Sequence, residues 1–335
     1  MFDPDIKIII RPRQSMTWET FVATTPPGSI ALDGAVRGGP RRDDVTLHVN
    51  RDHHEGVERD ATMSTCRQVQ FSIKGRFAER RGGKFQIHIN DPDQDTALAC
   101  WLLLNWKRFT GIQSHPHINR LIELTDRLDI TGGAFPMALD DRLVRQHAWV
   151  FKPYADARKS GALAQANESV MRAILEAVFR NLDAFWMNQA GEAELDTRHE
   201  ILHRSARFGF EIVDEIGGND ARCYLFSQGN LWNGYVSIVA RKADGTTVYT
   251  VGRPSMDVDF SLPRLYKALN AAEKLDRARN WNGSPMIGGS SREGSTLTWQ
   301  EVGEVIERDL TAQAEERCQA KTSQPMPAGM ATLNA

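Results

Sequence analysis

The triplet Asp52-His53-His54 is the stretch whose residue types could most directly do chemistry. A carboxylate oxygen and imidazole nitrogens are ligands that suit Mn, Fe or Zn, and Mg is also compatible. Residues 45–49, just before the triplet, are largely β-branched and apolar and predict a short strand. The triplet would then follow the carboxyl end of a strand, where open α/β sheets place their ligands. The alternative is an exposed polar turn, which a triplet standing alone would favour.

Other acidic residues also follow predicted strands. Residues 29–32 are apolar and lead into Asp33 and a glycine-rich loop, which could hold a metal but is also a common turn sequence. Residues 84–90 alternate as a strand does, and aspartates at alternate positions follow them before a strongly apolar helix. One Asp is enough to cap that helix, so the additional carboxylates exceed that need. These aspartates are Asp91, Asp93 and Asp95.

The composition is that of an ordinary globular protein. The chain has 335 residues, 41% of them hydrophobic, and a net charge of -2. This balance excludes a global basic footprint for nucleic acid, although it is compatible with a local basic patch. The four cysteines are widely spaced and form no C-x-x-C, which indicates free thiols and not a disulfide framework or a structural zinc site. Because no signal pattern and no apolar run of membrane-spanning length is present, we expect a soluble, cytoplasmic protein.

The periodicity predicts an α/β fold with a mostly parallel sheet in an N-terminal domain and a smaller α+β C-terminal domain. Residues 140–190 have largely helical spacing, and from residue 207 the period changes to two. We expect strands at 208–213, 223–226, 235–241 and 247–252, and helices at 262–274 and 299–310. The expected organisation is a metal-binding catalytic domain at 1–150, a helical connector at 151–200, a substrate-binding domain at 201–310 and a disordered tail at 311–335.

Together these motifs resemble the DHH phosphoesterase superfamily with its associated C-terminal substrate-binding domain. Residues 52–54 match the triplet that names the family, and residues 63–66 match the small-residue helix start that often follows it. Asp33, at a strand end before glycines, is similar to the metal-binding Asp of the family's second motif. Residues 88–95 resemble the first motif, which is a His followed by P-D-x-D and a helix.

The resemblance covers residues 30–308. Asp129 resembles the Asp of the fourth motif, with Asp126 as the alternative, and residues 251–254 and 287–290 resemble the strand end and the Gly-Gly loop that bind substrate in the associated domain. Two features depart from the family pattern. The first motif follows the triplet instead of preceding it, with its His one residue further from the Asp pair, and the usual His is missing from the Gly-Gly loop. We therefore expect a diverged member or one with permuted motif order.

The resemblance implies two divalent cations, Mn²⁺ with Mg²⁺ as the alternative, which would activate a water molecule. It implies catalytic roles for Asp52, His53 and His54, the last of these as a ligand, an orienting group or a general acid. The implied metal ligands are Asp33, Asp52, His53, His88, Asp93, Asp95 and Asp129, while Asp91 is either a weaker ligand or a helix cap. The implied phosphate contacts are Arg37, Arg253, Gly288, Gly289, Ser290 and Arg292, and each arginine has an alternative as a surface charge.

The implied function is a metal-dependent phosphoesterase that hydrolyses phosphodiester bonds in short oligonucleotides, single-stranded nucleic acid or cyclic dinucleotides. Two other functions are compatible with the sequence: a phosphatase for a small ester such as a mononucleotide, and a catalytically silent nucleotide-binding protein on the same fold. The near-neutral charge favours short or small substrates over long polyanions. We expect a nucleic-acid fragment or a nucleotide as the partner and no membrane, and a homodimer is left open.

Overall fold

The first sheet brings the carboxyl ends of several strands to one edge. In the computed structural model, which describes residues 5–229, 232–273 and 280–322, its strands are β1 (Ile6–Ile10), β2 (Ile30–Leu32), β3 (Arg41–Arg42), β4 (Val49–Arg51) and β5 (Phe85–Ile89). The strand order is β1-β5-β2-β4-β3. The first four in this order run parallel, and β3 pairs antiparallel with β4 at the edge. The segments that follow β2, β4 and β5 therefore emerge side by side.

Helices cover this sheet. They are α1 (Trp18–Thr24), α2 (Thr65–Lys74), α3 (Phe77–Arg80), α4 (Gln94–Leu104), α5 (Trp106–Phe109), α6 (Pro116–Ile130), α7 (Arg142–Val150), α8 (Lys152–Lys159) and α9 (Glu168–Trp186). Every residue of α4 from Asp95 to Leu104 is buried, as expected for an apolar helix packed between the sheet and other helices. None of the described helices is long and apolar enough to cross a membrane.

One continuous core joins β1, β5 and helices α2 to α9. It includes Ile87 and Ile89 from β5, Trp101 from α4, and Leu175 and Phe179 from α9. Residues 151–186, expected as a connector between domains, therefore pack into the core of the first unit. The expected connector is reduced to the extended segment that leads from α9 into the second sheet.

The second sheet is mixed and carries its own core. Its strands are β6 (Glu200–Ser205), β7 (Phe210–Asp214), β8 (Gly234–Arg241), β9 (Thr247–Gly252), β10 (Asn282–Gly283) and β11 (Ile287–Gly289), in the order β10-β11-β9-β8-β7-β6. Among the described strands of this second sheet, only β7 and β8 pair in parallel, and α10 (Asn219–Ser227) lies in the crossover between them. Helices α11 (Leu262–Glu273) and α12 (Trp299–Thr322) pack on this sheet through Leu265 and Ile306. The architecture is mixed α/β, as the sequence predicted.

The strand expected at residues 45–49 is displaced. The strand β4 begins only at Val49, because Oδ1 of Asp43 accepts hydrogen bonds from the backbone N–H groups of Val45 (3.0 Å) and Thr46 (2.6 Å) and closes a turn. Leu47 in this turn has a φ of 61°, and Val45 is 90% exposed. The β-branched residues mistaken for a strand thus belong to the loop, and the strand ends directly at the triplet.

Two further expectations at the C-terminal side are wrong. Residues 223–226, expected as a strand, lie inside helix α10, because a short apolar run fits a buried helix as well as a strand. Residues 311–322, expected to be disordered, continue α12. Residue 274, expected as the end of the preceding helix, and residues 323–335 lie outside the described part of the chain.

Candidate metal centre

Three neighbouring strand ends bring the predicted acidic and histidine residues together. Asp33 directly follows β2, the triplet 52–54 directly follows β4, and the aspartates at 91–95 follow β5. The backbone N–H of Asp33 donates to the carbonyl of Arg51 at 2.9 Å and continues the β2–β4 pairing by one residue. Asp33 then has a φ of 49°, a left-handed conformation that turns the chain away from the sheet. The short strands therefore deliver these side chains to one edge.

Two groups of side chains offer ligand atoms close enough to share an ion. One group is Asp33, His53 and His54, the other is His53, Asp95 and Asp129, and the ligand atoms of each group lie within 4.8 Å of one another. The Nε2 atom of His53 lies 2.6 Å from Oδ2 of Asp129. The same atom is 3.8 Å from Oδ1 of Asp33 and 4.0 Å from Oδ2 of Asp95. His53 is therefore common to both groups.

The environment of His53 fits a metal ion. Its side chain is fully buried, and neither ring nitrogen has a hydrogen-bond partner among the residues that the structure describes. Nε2 nevertheless lies 2.6 Å from Oδ2 of Asp129, and this contact opposes the effect of burial on the pKa of His53. Burial lowers the pKa of His53, which favours the neutral imidazole that ligates metals. Because one nitrogen lone pair binds one ion, His53 can complete only one of the two groups, and a second ion would need a further carboxylate.

Hydroxyl and backbone groups at the starts of α2 and α4 hold the buried carboxylates. The hydroxyls of Thr65 and Thr96 each donate to the Asp33 carboxylate at 3.1 Å. The Asp95 carboxylate accepts from the backbone N–H groups of Thr65 and Cys66, both at 2.7 Å. These amides form the N-terminus of α2, whose dipole stabilises negative charge. The small residues after the triplet therefore support the acidic cluster directly.

Crowding raises the pKa of several of these carboxyl groups. Burial and the charge of Asp93 raise the pKa of Asp33 well above its ordinary value. Burial and the charge of Asp129 raise the pKa of Asp95 to about 7 and also raise the pKa of Asp93. Like charges in a buried site repel, and a divalent cation between them would remove this repulsion. The cluster is therefore better suited to a cation than to water alone.

The raised pKa of Asp95 predicts a pH-dependent stability for the metal-free protein. A folded-state pKa of about 7, above the ordinary 3.8, means that Asp95 binds its proton more tightly in the folded state. Its contribution to stability is complete below pH 4 and is lost as the pH rises towards 7. Relative to the wild type in EDTA, Asp95→Asn should gain up to about 4 kcal/mol of unfolding free energy between pH 4 and pH 8. Urea titrations at several pH values measure this difference. If the unfolding free energies of the wild type and the variant changed with pH by the same amount, the prediction would be refuted.

Asp52 shapes the triplet's turn and does not belong to either ligand group. Its Oδ1 accepts from the backbone N–H groups of His53 (2.6 Å) and His54 (2.9 Å), and its Oδ2 accepts from the N–H of Gly34 (2.9 Å). Oδ1 also lies 2.8 Å from Nδ1 of His54. Although burial opposes it, this hydrogen bond raises the pKa of His54. His54 is 39% exposed at its side chain, so its ring faces the open side of the centre.

The end of α6 supplies Asp129, and Arg59 holds it there. Arg59 is buried, donates from Nη2 to the carbonyl of Asp129 (2.9 Å) and from Nε to the carbonyl of Ile130 (3.1 Å), and approaches Oδ2 of Asp129 to 3.4 Å. Asp126, the alternative suggested by the sequence, instead accepts from the backbone N–H of Ser64 at 2.7 Å. Arg59 could not be predicted from the sequence, because its partners lie about seventy residues further along the chain.

His88 lies away from the two ligand groups. In β5, Ile87 and Ile89 face the helical core, so His88 faces the other side of the sheet. There its Nδ1 is 2.7 Å from Nη1 of Arg11, and its ring packs edge-on against Phe21. Burial and the charge of Arg11 lower the pKa of His88 to about 4. The alternation of the strand could have excluded this residue as a ligand.

The expected phosphate contacts on the second sheet have structural roles instead. Arg253 is buried, and its guanidinium donates to the carbonyls of Pro285 (2.8 Å), Met256 (3.2 Å) and Val258 (3.3 Å). Ser290 accepts from the backbone N–H of Tyr249 at 3.0 Å. The glycines of the Gly-Gly pair belong to β11, where a Cβ on Gly288 would overlap the hydroxyl of Tyr266 and one on Gly289 would overlap the carbonyl of Tyr249. The expected anion loop is therefore a closely packed strand.

The remaining expected contacts lie nearer the surface. Arg292, 69% exposed, pairs with Asp91 at 3.6 Å and so reaches from the second unit to the end of β5. Burial raises the pKa of Asp91 to about 6. Asp93 caps α4 by accepting from the backbone N–H of Thr96 at 2.8 Å. Arg37 is exposed on the loop after β2. Asp93 also affects the metal-ligand groups, because its charge raises the pKa of Asp33.

Gly289→Ala tests the packing role of the Gly-Gly pair. Because the new methyl group would overlap the backbone of β9, we expect a loss of about 1–3 kcal/mol in unfolding free energy. Metal binding, measured by isothermal titration with Mn²⁺ at a temperature where the variant is folded, should be unchanged. A variant of normal stability that binds phosphate esters more weakly would instead indicate an anion loop.

A cavity of about 700 Å³ opens in front of the centre. His54 and Asp129 line it on the side of the first sheet, Arg158 lines it from α8, and Arg222 and Ile287 line it from the second unit. The side chain of Ile287 approaches Gly132 at the end of α6 so closely that a Cβ there would overlap it. A bound molecule would therefore touch both units while it faces the metal-ligand groups.

Comparison with models of known protein families gives no matching family, and comparison with curated proteins gives no matching relative.

Proposed function

We propose that this protein is a metal-dependent phosphoesterase that hydrolyses phosphodiester bonds in short oligonucleotides, single-stranded nucleic acid or cyclic dinucleotides. The observation that carries the proposal is the convergence of Asp33, His53, His54, Asp95 and Asp129 at the carboxyl ends of parallel strands, beside a cavity. Buried carboxylates together with an imidazole lacking hydrogen-bond partners suit Mn²⁺ and similar ions. The resemblance to the DHH phosphoesterase superfamily, with a catalytic and a substrate-binding domain, supports the same function.

Different residues of the centre would bind the metal ions, orient His54 and donate a proton. Asp33, His53, Asp95 and Asp129 would hold the divalent cations, which when bound would lower the pKa of a coordinated water and clamp phosphoryl oxygens. Asp52 orients His54 through the hydrogen bond at Nδ1. Since His54 lines the cavity and favours its protonated form, it is placed to give a proton to a leaving oxygen.

The cavity supports a substrate larger than a single phosphate group. Its volume of about 700 Å³ lies within the range of sites for drug-sized ligands. Cationic, acidic and apolar side chains all line it, among them Lys152 and Arg158 from α8, Asp156 from the same helix, and Leu128 and Val144 from α6 and α7. The cationic and apolar parts of this wall could contact phosphates and a base together, which favours a nucleotide-containing substrate over a small phosphate ester without a base.

Hydrolysis of bis-p-nitrophenyl phosphate with added Mn²⁺ tests the reaction class. We expect the wild type to release p-nitrophenol and the Asp52→Ala/His53→Ala double variant to release none above background, while both retain a cooperative thermal transition. A screen of oligonucleotides by length should then separate a phosphodiesterase from a mononucleotide phosphatase. If the wild type bound Mn²⁺ but hydrolysed neither diesters nor monoesters, the hydrolase proposal would be rejected in favour of a nucleotide-binding protein.

A further inference from the structure

Three arginines meet at the edge of the first sheet, away from the cavity. The β3–β4 register places Arg42 opposite Val49, and Arg51 lies two residues further along β4. Side chains two residues apart on a strand share a face, so Arg42 and Arg51 are diagonal neighbours. Arg81 reaches the same edge from the end of α3, where it donates from Nε to the carbonyl of Gly28 (3.3 Å) and from Nη2 to the carbonyl of Leu47.

Acidic residues do not balance this cluster. Arg42 pairs with Asp44 at 2.9 Å, but both side chains are more than half exposed. Within residues 5–229, 232–273 and 280–322, no carboxylate lies within ion-pair distance of Arg51 or Arg81. The Nε atom of Arg51 is buried and has no hydrogen-bond partner in this part of the chain. Folding therefore gathers like charges and leaves a buried donor unsatisfied, and both features are unfavourable without a counter-ion.

The charges of these residues act on one another. Burial, followed by the charges of Arg42 and Arg51, lowers the pKa of Arg81 to about 10. Burial and the charge of Arg42 also lower the pKa of Arg51. Contacts with backbone carbonyls and with the face of the Phe77 ring, 3.8 Å from the guanidinium carbon, fix Arg81 in place. The cluster is thus preorganised, and little side-chain order remains to be imposed by a ligand.

We propose that Arg42, Arg51 and Arg81 form a binding site for a phosphate group, carried on a nucleic-acid backbone or by free inorganic phosphate. Guanidinium groups match phosphate oxygens in geometry and charge, and the unsatisfied Nε of Arg51 supplies a donor that is already desolvated. These arginines are not among the residues that line the cavity, so the site is separate from the metal centre. It does not depend on the proposed hydrolase function, although Arg51 directly precedes the triplet.

Thermal unfolding of the metal-free protein in EDTA tests this site. Millimolar inorganic phosphate, compared with chloride at the same ionic strength, should raise the Tm of the wild type. The matched variants are Arg42→Gln and Arg51→Gln within the cluster and Arg80→Gln, an exposed neighbour on α3, as the control. We expect phosphate affinity to fall about tenfold in each cluster variant and to be unchanged in the control. Without phosphate, Arg42→Gln should unfold at a higher temperature than the wild type, because one like charge is removed.

Fluorescence anisotropy with labelled oligothymidylates of increasing length distinguishes the two sources of phosphate. Binding that strengthens with length and weakens in Arg51→Gln would identify a nucleic-acid backbone, whereas a response to inorganic phosphate alone would identify a free anion. Arg51→Lys keeps the positive charge but loses the bidentate geometry of the guanidinium group, so it should bind phosphate with intermediate affinity. A wild type that does not respond to phosphate, or cluster variants and a control that respond equally, would overturn the proposal.

Discussion

His53→Ala is expected to lower the affinity for Mn²⁺ by at least about 100-fold and to abolish metal-dependent hydrolysis. Loss of a mere hydrogen-bond partner of a metal ligand costs 10- to 100-fold, and His53 would be a ligand itself. His53 belongs to both ligand groups. Its removal leaves one group with only the imidazole of His54 and the other group with no imidazole. Isothermal titration of the metal-free protein measures the affinity, and kcat with saturating Mn²⁺ measures the activity.

His88→Ala is the matched control for this variant. His88 is also a buried histidine of the first sheet, but it bonds to Arg11 on the face away from the cluster. Truncation should reduce the unfolding free energy of both variants by a similar amount, because each leaves a cavity in a packed interior. We expect His88→Ala to bind Mn²⁺ with normal affinity. If it were the variant that lost metal, or if His53→Ala retained it, the assignment of His53 would be contradicted.

Arg222→Met is expected to destabilise the protein by about 3–5 kcal/mol. Arg222 is buried and forms two hydrogen bonds of 2.6 Å with the carboxylate of Glu215. It also donates to the carbonyl of Gly132 at the end of α6, and thereby ties the second unit to the segment that carries Asp129. Removal of one partner leaves the other charge buried and unpaired. Chemical denaturation measures the loss of unfolding free energy. The KM for substrate should also rise, because Arg222 lines the cavity.

The double variant Arg222→Met/Glu215→Leu separates the cost of an unpaired charge from the worth of the ion pair. Replacement of both partners by apolar residues of similar size is often close to neutral. The double variant should therefore recover most of the stability lost by Arg222→Met. Equal destabilisation of the single and double variants would show that contacts other than the ion pair, such as the packing of Arg222 on the ring of Tyr235, dominate.

The part of the centre that the sequence could predict is the part built from local pattern. The apolar run before Asp33 marked β2, and the alternation before Asp91 marked β5. Parallel strands share an edge, so residues that follow them could be expected to meet. The displaced start of β4 was hidden because Val45 and Leu47 have strand-forming side chains but sit in a turn closed by Asp43.

The part that the sequence could not predict depends on contacts between distant residues. Arg59 joins the centre through carbonyls at the end of α6, and no local pattern indicates this contact. Asp95 accepts from the first amides of α2, thirty residues away, so its role as a helix cap for another helix was not visible. The Gly-Gly pair has the composition of an anion loop, but the close approach of β9 and Tyr266 explains its glycines.

Anomalous scattering at the manganese edge, from crystals grown with Mn²⁺, is the measurement that tests the metal centre most directly. Two peaks are expected at the carboxyl ends of β2, β4 and β5, one within about 2.0–2.3 Å of Nε2 of His53. The side chains of Asp33, Asp95 and Asp129 should be the nearest carboxylates. Crystals that bind Mn²⁺ elsewhere, or show no peak beside His53 at saturating Mn²⁺, would contradict the proposed centre and with it the hydrolase.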